Sequence, residues 1–392
     1  LEEALASFDR GLALNPRLPS ALVNRANVLR GLGRLTEALA GHDAAIALDP
    51  ANAGAHHHRA IVLMDLQRLS EALTAFDRAL ALKLGDVETE RARAMALLMA
   101  GDFERGLPLY ERRAKLVPEA AADRPPWLGD QPVEGRTVLV WAEQGLGDTL
   151  QFCRYVPLLA ARGARVVLQA QRPLLPLLNT LAGVDALIAQ DEAPPAFDLH
   201  VPLMSLPLAL RTRLETIPAP AAYLAADPER VEAWSDRLGP RTPPRIGLVW
   251  SGRAEHRNDR HRSLSLARLL AAFPDGFDYV SLQQEVRPAD LETLATHPEV
   301  RHFGPELKDF ADTAALVSLM DAVVTVDTSL AHLAGALGKD ARLLLSRTGQ
   351  DWRWLTGRSD TPWYPATRLY RQGEDCDWDG PLAEVGRDLA DF

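Results

Sequence analysis

Cysteine is scarce: Cys153 and Cys376 are the two in 392 residues. They sit in unrelated contexts and form no CxxC or Cys/His spacing of the kind that holds zinc or frames a disulfide scaffold. That usage fits a reducing cytoplasm. Long apolar runs are also missing. No stretch approaches the ~18–20 consecutive apolar residues of a membrane span, and the opening LEEALASFDR has neither the basic flank nor the apolar centre of a secretory signal. The chain starts without Met and in mid-pattern, so the repeats described below are expected to continue upstream. Cations are outnumbered, with 43 Lys and Arg against 53 Asp and Glu and a net charge of −10. This argues against a general nucleic-acid or anionic-membrane binder. An anionic ligand must therefore meet a local site. The length allows two to four domains at roughly 100–200 residues each.

What is present begins with a period. Ala4, Ala38 and Ala72 recur with Leu5, Leu39, Leu73 and Leu107, and a ring slot holds Phe8, His42, Phe76 and Tyr110. Pro16, Pro50 and Pro118 close units. The spacing is the roughly 34 residues of a tetratricopeptide repeat, which residues 1–118 resemble. Each unit reads as a helix pair in which a small residue allows close approach, a ring packs one turn on, and Pro ends the second helix. One unit cannot bury its apolar face alone; stacking supplies a core and leaves a concave surface of a kind that holds peptides or partner proteins. The run His56-His57-His58 does not read as a metal cluster, because neighbouring side chains on a helix diverge by about 100°.

From Leu116 to Arg136 the period stops, and Pro118, Pro125, Pro126, Gly129, Pro132 and Gly135 mark a linker or docking segment, 119–136. Short apolar runs then alternate with helical stretches: TVLVWAE, TLQFCRYVPLLAARG, ARVVLQAQ and PLLPLLNTLAG. A second series runs through RIGLVWSG, DYVSLQQE, VRHFG, AVVTVD and ARLLLS. These βαβ patterns predict two parallel, Rossmann-like sheets, over 137–226 and 227–372, with Pro-rich sequence around 218–244 between them. A last stretch, 373–392, is expected to form a helix that crosses back to the first half. Ligands of such sheets bind at the carboxyl ends of the strands, here in a cleft between the halves.

Two strand-to-helix junctions carry candidate chemistry. Glu143-Gln144-Gly145-Leu146-Gly147-Asp148 follows the first strand; its glycines permit a tight turn and close ligand approach, or the segment is a plain turn with Asp148 as helix cap. Asp327-Thr328-Ser329, with His332 one turn further, opens a small-residue helix whose N–H groups suit a phosphate. The alternative there is a capped helix with a core histidine.

The combination of EQGLGD, LVWSG, Arg262-Ser263, Ala311–Val317 (ADTAALV) and VDTSLAHLAGALGK, in that order over 127–372, resembles glycosyltransferases related to lipopolysaccharide heptosyltransferases and to repeat-fused flagellin and protein glycosyltransferases. The resemblance implies a GT-B fold and a metal-independent, inverting transfer from a nucleotide-sugar donor, which is a co-substrate and not a cofactor. It implies Asp148 as base and places Asp327, Thr328, Ser329 and His332 on the donor phosphates. Gly145, Gly147, Trp250, Ser251, Gly252, Arg262, Ser263, Gln283, Asp312 and Thr313 join the donor-binding candidates. Gln144 is a candidate on the acceptor side. Asn24 is another, because protein O-GlcNAc transferases carry an Asn at that repeat slot; here the slot reads Asn24, His58, Ala92. Glu143 and Gln144 replace the serines of the heptosyltransferase loop, which points away from heptose. Arg253, Arg257, Arg260, Arg262, His256 and His261 form a basic patch suited to phosphate or to solvent. Asp375-Cys376-Asp377-Trp378-Asp379-Gly380 opens like a calcium loop, but its twelfth position is Gly386 and not Glu. The expected function is sugar transfer to a protein acceptor recruited by the repeats, with flagellin one acceptor the relatives suggest. The competing expectations are a catalytically silent scaffold, or transfer to a saccharide or lipid-linked glycan.

Overall fold

The computed structural model describes residues 1–113, 117–256 and 258–392. The first part is helical: α1 (Glu2–Leu14), α2 (Pro19–Gly31), α3 (Leu35–Leu48), α4 (Ala53–Asp65), α5 (Leu69–Leu82), α6 (Val87–Met99) and α7 (Phe103–Tyr110). Each helix packs on the next because fully buried alanines, Ala26, Ala60 and Ala94, recur with the repeat. At Gly41 a Cβ would stand 3.0 Å from that of Ala26, so the fit is close. Turns at Gly33, Gln67 and Gly101 take φ of 79°, 60° and 81°, the left-handed region that ends a helix. The ion pairs Arg25–Asp9, Arg59–Asp43 and Arg93–Asp77, at 2.5, 2.6 and 2.7 Å, repeat at the same period. They are partly exposed and each contributes only about 0–1 kcal/mol, so the buried small residues set the stack.

The compact unit built on these helices comprises 1–113 together with 346–358 and 372–378. The expected bounds instead place 346–358 and residue 372 in the second-sheet segment, 227–372, and 373–378 in the last stretch, 373–392. Trp352, 2% exposed, seats its ring edge-on to Phe103 and close to Tyr110, each at 5.8 Å. Gly349 N–H donates to Asp65 Oδ1 at 2.9 Å, and Arg347 donates to Leu66 O at 2.9 Å. Asp65 also receives Arg30, so its buried carboxylate is compensated.

The ring slot contains an anomaly. His42 is fully buried and neither ring nitrogen has a hydrogen-bond partner among the described residues. It stacks on His58 at 6.0 Å, while His57 meets Thr89 Oγ1 at 2.8 Å. Burial, then the neighbouring His58 and the arginines Arg30 and Arg59, pushes the His42 pKa down to about 3. The folded state thus keeps His42 neutral, whereas the unfolded chain binds its proton below ~6.5. Stability conferred by this fold is therefore lost as pH falls from ~6.5 toward 3. His42→Phe, matching Phe8 and Phe76, is expected to stabilise the repeats by about 1–3 kcal/mol at neutral pH and to flatten part of the acid limb. Urea melts at pH 7 and pH 5 check this, and an unchanged pH slope refutes it.

The remaining described residues form the second unit. One sheet has β1 (Thr137–Trp141), β2 (Arg165–Ala170), β3 (Ala186–Ala189) and β4 (Leu199–Pro202) in the order β3-β2-β1-β4. The other has β5 (Arg245–Val249), β6 (Asp278–Ser281), β7 (Val300–His302), β8 (Ala322–Val326), β9 (Ala341–Leu345) and β10 (Thr367–Arg371), ordered β10-β9-β8-β5-β6-β7. All pairings between these strands are parallel, and β5, β8 and β9 are buried throughout, as strands covered on both faces must be. The first sheet carries α8 (Leu146–Phe152), α9 (Val156–Ala160), α10 (Leu175–Leu178) and α11 (Leu206–Ala209). The second carries α12 (Pro228–Leu238), α13 (Asp259–Arg262), α14 (Leu266–Leu270), α15 (Pro288–Thr296), α16 (Phe310–Ser318), α17 (Ser329–Ala336) and α18 (Asp379–Ala390). Strand order reverses at β1/β4 and at β5/β8, which gives each sheet a switch-point crevice.

Of two sequence expectations, one resolves to its docking alternative and one changes. Residues 119–136 dock: Trp127 is buried, donates its backbone N–H to His200 O at 2.8 Å, and Gly129, at φ 87°, lies against Ala209 O where a side chain has no room. The C-terminal helix α18 does not cross back. Its buried stripe of Leu382, Val385 and Leu389 covers β9 and β10, and Gly386 fits against Ala272 of the same half.

Candidate functional site

Both switch points end in candidate loops, and the structure brings them together. After β1 the chain turns through Gly145 into α8, and Asp148 Oδ2 accepts the Gly145 N–H at 2.8 Å. After β8, Thr328 caps α17, its Oγ1 accepting from Leu330 N at 3.3 Å. α8 packs on α17. Gly147 makes that possible: a Cβ there would come within 2.8 Å of His332 Cδ2 and 3.3 Å of Ser329 Cα. The second glycine of the GLG turn thus serves helix contact between the halves. His332 is 7% exposed and its Nδ1 lies 2.9 Å from the Tyr364 hydroxyl.

A second cluster adjoins Asp327. Arg262 donates from Nη1 to Asp327 O at 2.6 Å, and its guanidinium lies over Gly252 where any Cβ would collide. Arg287 donates to Gly252 O at 2.9 Å and to Asp259, which also accepts Ser263 Oγ–H at 2.7 Å. Ser263 Oγ in turn receives Gly252 N–H at 3.1 Å. The Ser251 hydroxyl is buried and without a hydrogen bond among the described residues. Gly252→Ala is expected to push Arg262 off Asp327 while leaving β5 intact. For the nucleotide donor that the sequence resemblance leads one to expect, the outcome to measure is at least a ten-fold loss of affinity with a small change in melting temperature, on the scale of one charge-assisted hydrogen bond. Unaltered affinity would remove Arg262 from the site.

Several candidates have structural occupations. The Trp250 indole is fully buried and donates to Asp290 at 3.0 Å, so only its backbone faces the loop. Gln283 Oε1 accepts from Trp250 N and Ser251 N at 3.1 and 3.0 Å, fastening the end of β5. Asp312 accepts Arg230 at 2.7 Å and Lys308 N–H at 3.1 Å, and Thr313 Oγ1 donates to Asp309 O at 3.1 Å. These side chains hold α12, α16 and their turns. Gln144 is exposed, its carbonyl accepting Gln171 Nε2 at 2.8 Å. Asn24 is exposed on α2, in the other unit. Of the basic patch, Arg253, His256 and Arg260 are exposed, His261 takes Arg260 Nε at 3.0 Å, and Arg257 lies outside the described residues. Among the described residues no group of three His, Cys, Asp or Glu is arranged to hold a metal ion. No helix among them is long and apolar enough to cross a membrane.

No protein-family model matches the chain. Protein FlbA of Caulobacter vibrioides is 29% identical over 293 residues, a match covering 68% of this chain and 48% of FlbA. The chain thus spans about half of that relative's length. Among solved structures, the tetratricopeptide-repeat protein YrrB is 25% identical over 27% of this chain and 54% of its own, with a TM-score of 0.25. The first repeat domain of Spaghetti (RPAP3), solved with an HSP90 peptide, is 25% identical over 24% of this chain and 75% of its own, with a TM-score of 0.24. MamA is 17% identical over 28% and 63%, with a TM-score of 0.26.

Nothing local in the sequence marks Arg287, Arg154 or Tyr364, which fasten this region. Each belongs to no motif, and each acts on residues distant in the chain.

Proposed function

We propose that the chain is a nucleotide-sugar-dependent glycosyltransferase of the GT-B type whose donor binds at the α8–α17 junction and whose repeats recruit a protein acceptor. The observation that carries this reading is Gly147 laid on Ser329 and His332, with the Asp148 carboxylate beside it, at the switch points of two Rossmann-ordered sheets. In the proposed step an acceptor oxygen attacks the anomeric carbon and its proton passes to Asp148. The bond from that carbon to the phosphate oxygen breaks with inversion, and the nucleoside diphosphate departs. Arg262, the Ser251 hydroxyl, His332 and the N-terminus of α17 would receive the leaving charge, a task that fixed dipoles and cations perform without a metal. The concave face of a stacked repeat array suits an extended segment of protein, and flagellin is one acceptor to test.

A panel of UDP, GDP, ADP and CMP in thermal-shift measurements tests the donor site. One is expected to stabilise the protein, and His332→Ala should weaken its binding by roughly 1–3 kcal/mol. Incubation with donor sugars and lysate, read by intact mass, tests transfer. No stabilising nucleotide would favour a scaffold without activity, and labelled glycan in place of labelled protein would move the acceptor class to saccharides.

A further inference from the structure

β1 ends at Trp141, and the backbone groups that follow must find partners outside the ladder. Glutamine side chains from the neighbouring strand ends supply them. Gln190, after β3, donates from Nε2 to Ala142 O at 2.8 Å, and Gln171, after β2, donates from Nε2 to Gln144 O at 2.8 Å. A carbonyl only accepts, so the chemistry fixes which end of the Gln171 carboxamide is nitrogen. The other end is oxygen, and it accepts the hydroxyl of the buried Thr149 at 2.9 Å. Gln144 and Thr149 stand on either side of Gly145–Asp148, the turn into α8. One side chain from the end of β2 therefore holds both ends of that turn. Inside it, Asp148 Oδ2 accepts Gly145 N–H at 2.8 Å and Gly145 O accepts Thr149 N–H at 3.2 Å.

A turn with glycine at both 145 and 147 has many backbone conformations open to it, and the bonds inside it select weakly among them. A span across Gln144 and Thr149 adds what those bonds lack, because it fixes the distance between the two ends. Proton transfer is sensitive to such placement: a displacement of about 1 Å between reacting groups can slow a step by ~10²-fold. We infer that Gln171 is a positioning residue whose carboxamide clamps the Gly145–Asp148 turn, through Gln144 O and the Thr149 hydroxyl, and so sets where the Asp148 carboxylate stands. It acts through the backbone of the turn, and its effect falls on the transfer step and not on donor binding. The inference rests on the reading of Asp148 as the base.

The test compares the full chain with Gln171→Met, which keeps the length and loses both bonds, and with Thr149→Val, which loses one. Amide hydrogen exchange at Gly145 and Thr149 should quicken roughly three- to ten-fold in each, the scale of a lost hydrogen bond. Release of nucleotide is followed from UDP-, GDP-, ADP- and CMP-linked sugars incubated with lysate. On the sugar that the native protein uses it should slow roughly ten- to a hundred-fold, with affinity for the free nucleotide within about two-fold of native. The double variant should be no slower than Gln171→Met, because Thr149 acts through Gln171. Unchanged exchange overturns the clamp. Faster exchange with undiminished release overturns the positioning of Asp148, and so does a matching loss of nucleotide affinity, since the turn would then serve donor binding. No release by the native protein from any of these sugars overturns the transferase reading itself, and with it the role of Asp148 as base. Should Gln171→Met not fold, Gln171→Glu keeps the length and the bond from Thr149 but sets a carboxylate against Gln144 O. Native exchange and native release in that variant overturn the proposal.

Discussion

Asp148→Asn should lower turnover by ~10²–10⁴, the usual span for losing a general base, while donor affinity stays near its native value. The substitution separates two roles that the residue combines. As a structural group, Asp148 accepts the Gly145 N–H at 2.8 Å and closes the turn into α8. An asparagine oxygen can accept the same hydrogen bond, so a purely structural Asp148 predicts small changes in both melting temperature and rate. As a base it must take a proton, which a carboxamide cannot do. Single-turnover rates with saturating donor, alongside nucleotide affinity, decide between the two. If the variant is fully active, Glu143 is the next carboxylate to change. It is the weaker candidate on geometry, being 5% exposed with Oε1 accepting from Met204 N at 3.2 Å, an arrangement that ties the end of β1 to the segment after β4.

What the sequence disclosed follows from how far apart the partners are. The repeats were legible because each small or ring position recurs, and a period survives one misfit such as His42. The two junctions were legible because a Gly turn after a strand and an Asp-Thr start to a helix are local patterns. A polar residue at a strand end is ambiguous by contrast. Gln283 turns out to hold the backbone at Trp250 and Ser251, and Asp312 holds Arg230, and in each case the partner that decides lies dozens of residues away. Gly147 was read as freedom for ligand approach, whereas its lack of a side chain admits His332. The period-matched ion pairs Asp9–Arg25, Asp43–Arg59 and Asp77–Arg93 likewise have no local signature. Charged residues at exposed helix positions carry little pattern unless both members are tracked together.

The segment QDWRWL shows the same limit on a larger scale, and leads to the second large effect. Following β9, it reads as a loop of the second sheet, yet Trp352 and its neighbours pack on α6 and seat between Phe103 and Tyr110. A tryptophan only 2% exposed is a core residue wherever its chain neighbours lie. Trp352→Ala removes a buried aromatic whose site cannot refill, because Phe103 and Tyr110 are held on their own helix. The expected cost to the repeat unit is about 3–5 kcal/mol. Native-state hydrogen exchange localises it: amides of Ala96, Leu97 and Leu98 on α6 should lose protection by that amount. Amides of β5 and β8 should lose less, since those strands belong to the other unit. Modification of a protein acceptor should fall with the repeats, while the stabilising nucleotide still binds. Undiminished protection on α6 would show that the stack holds without the tryptophan, and residues 1–113 could then be removed as an independent module.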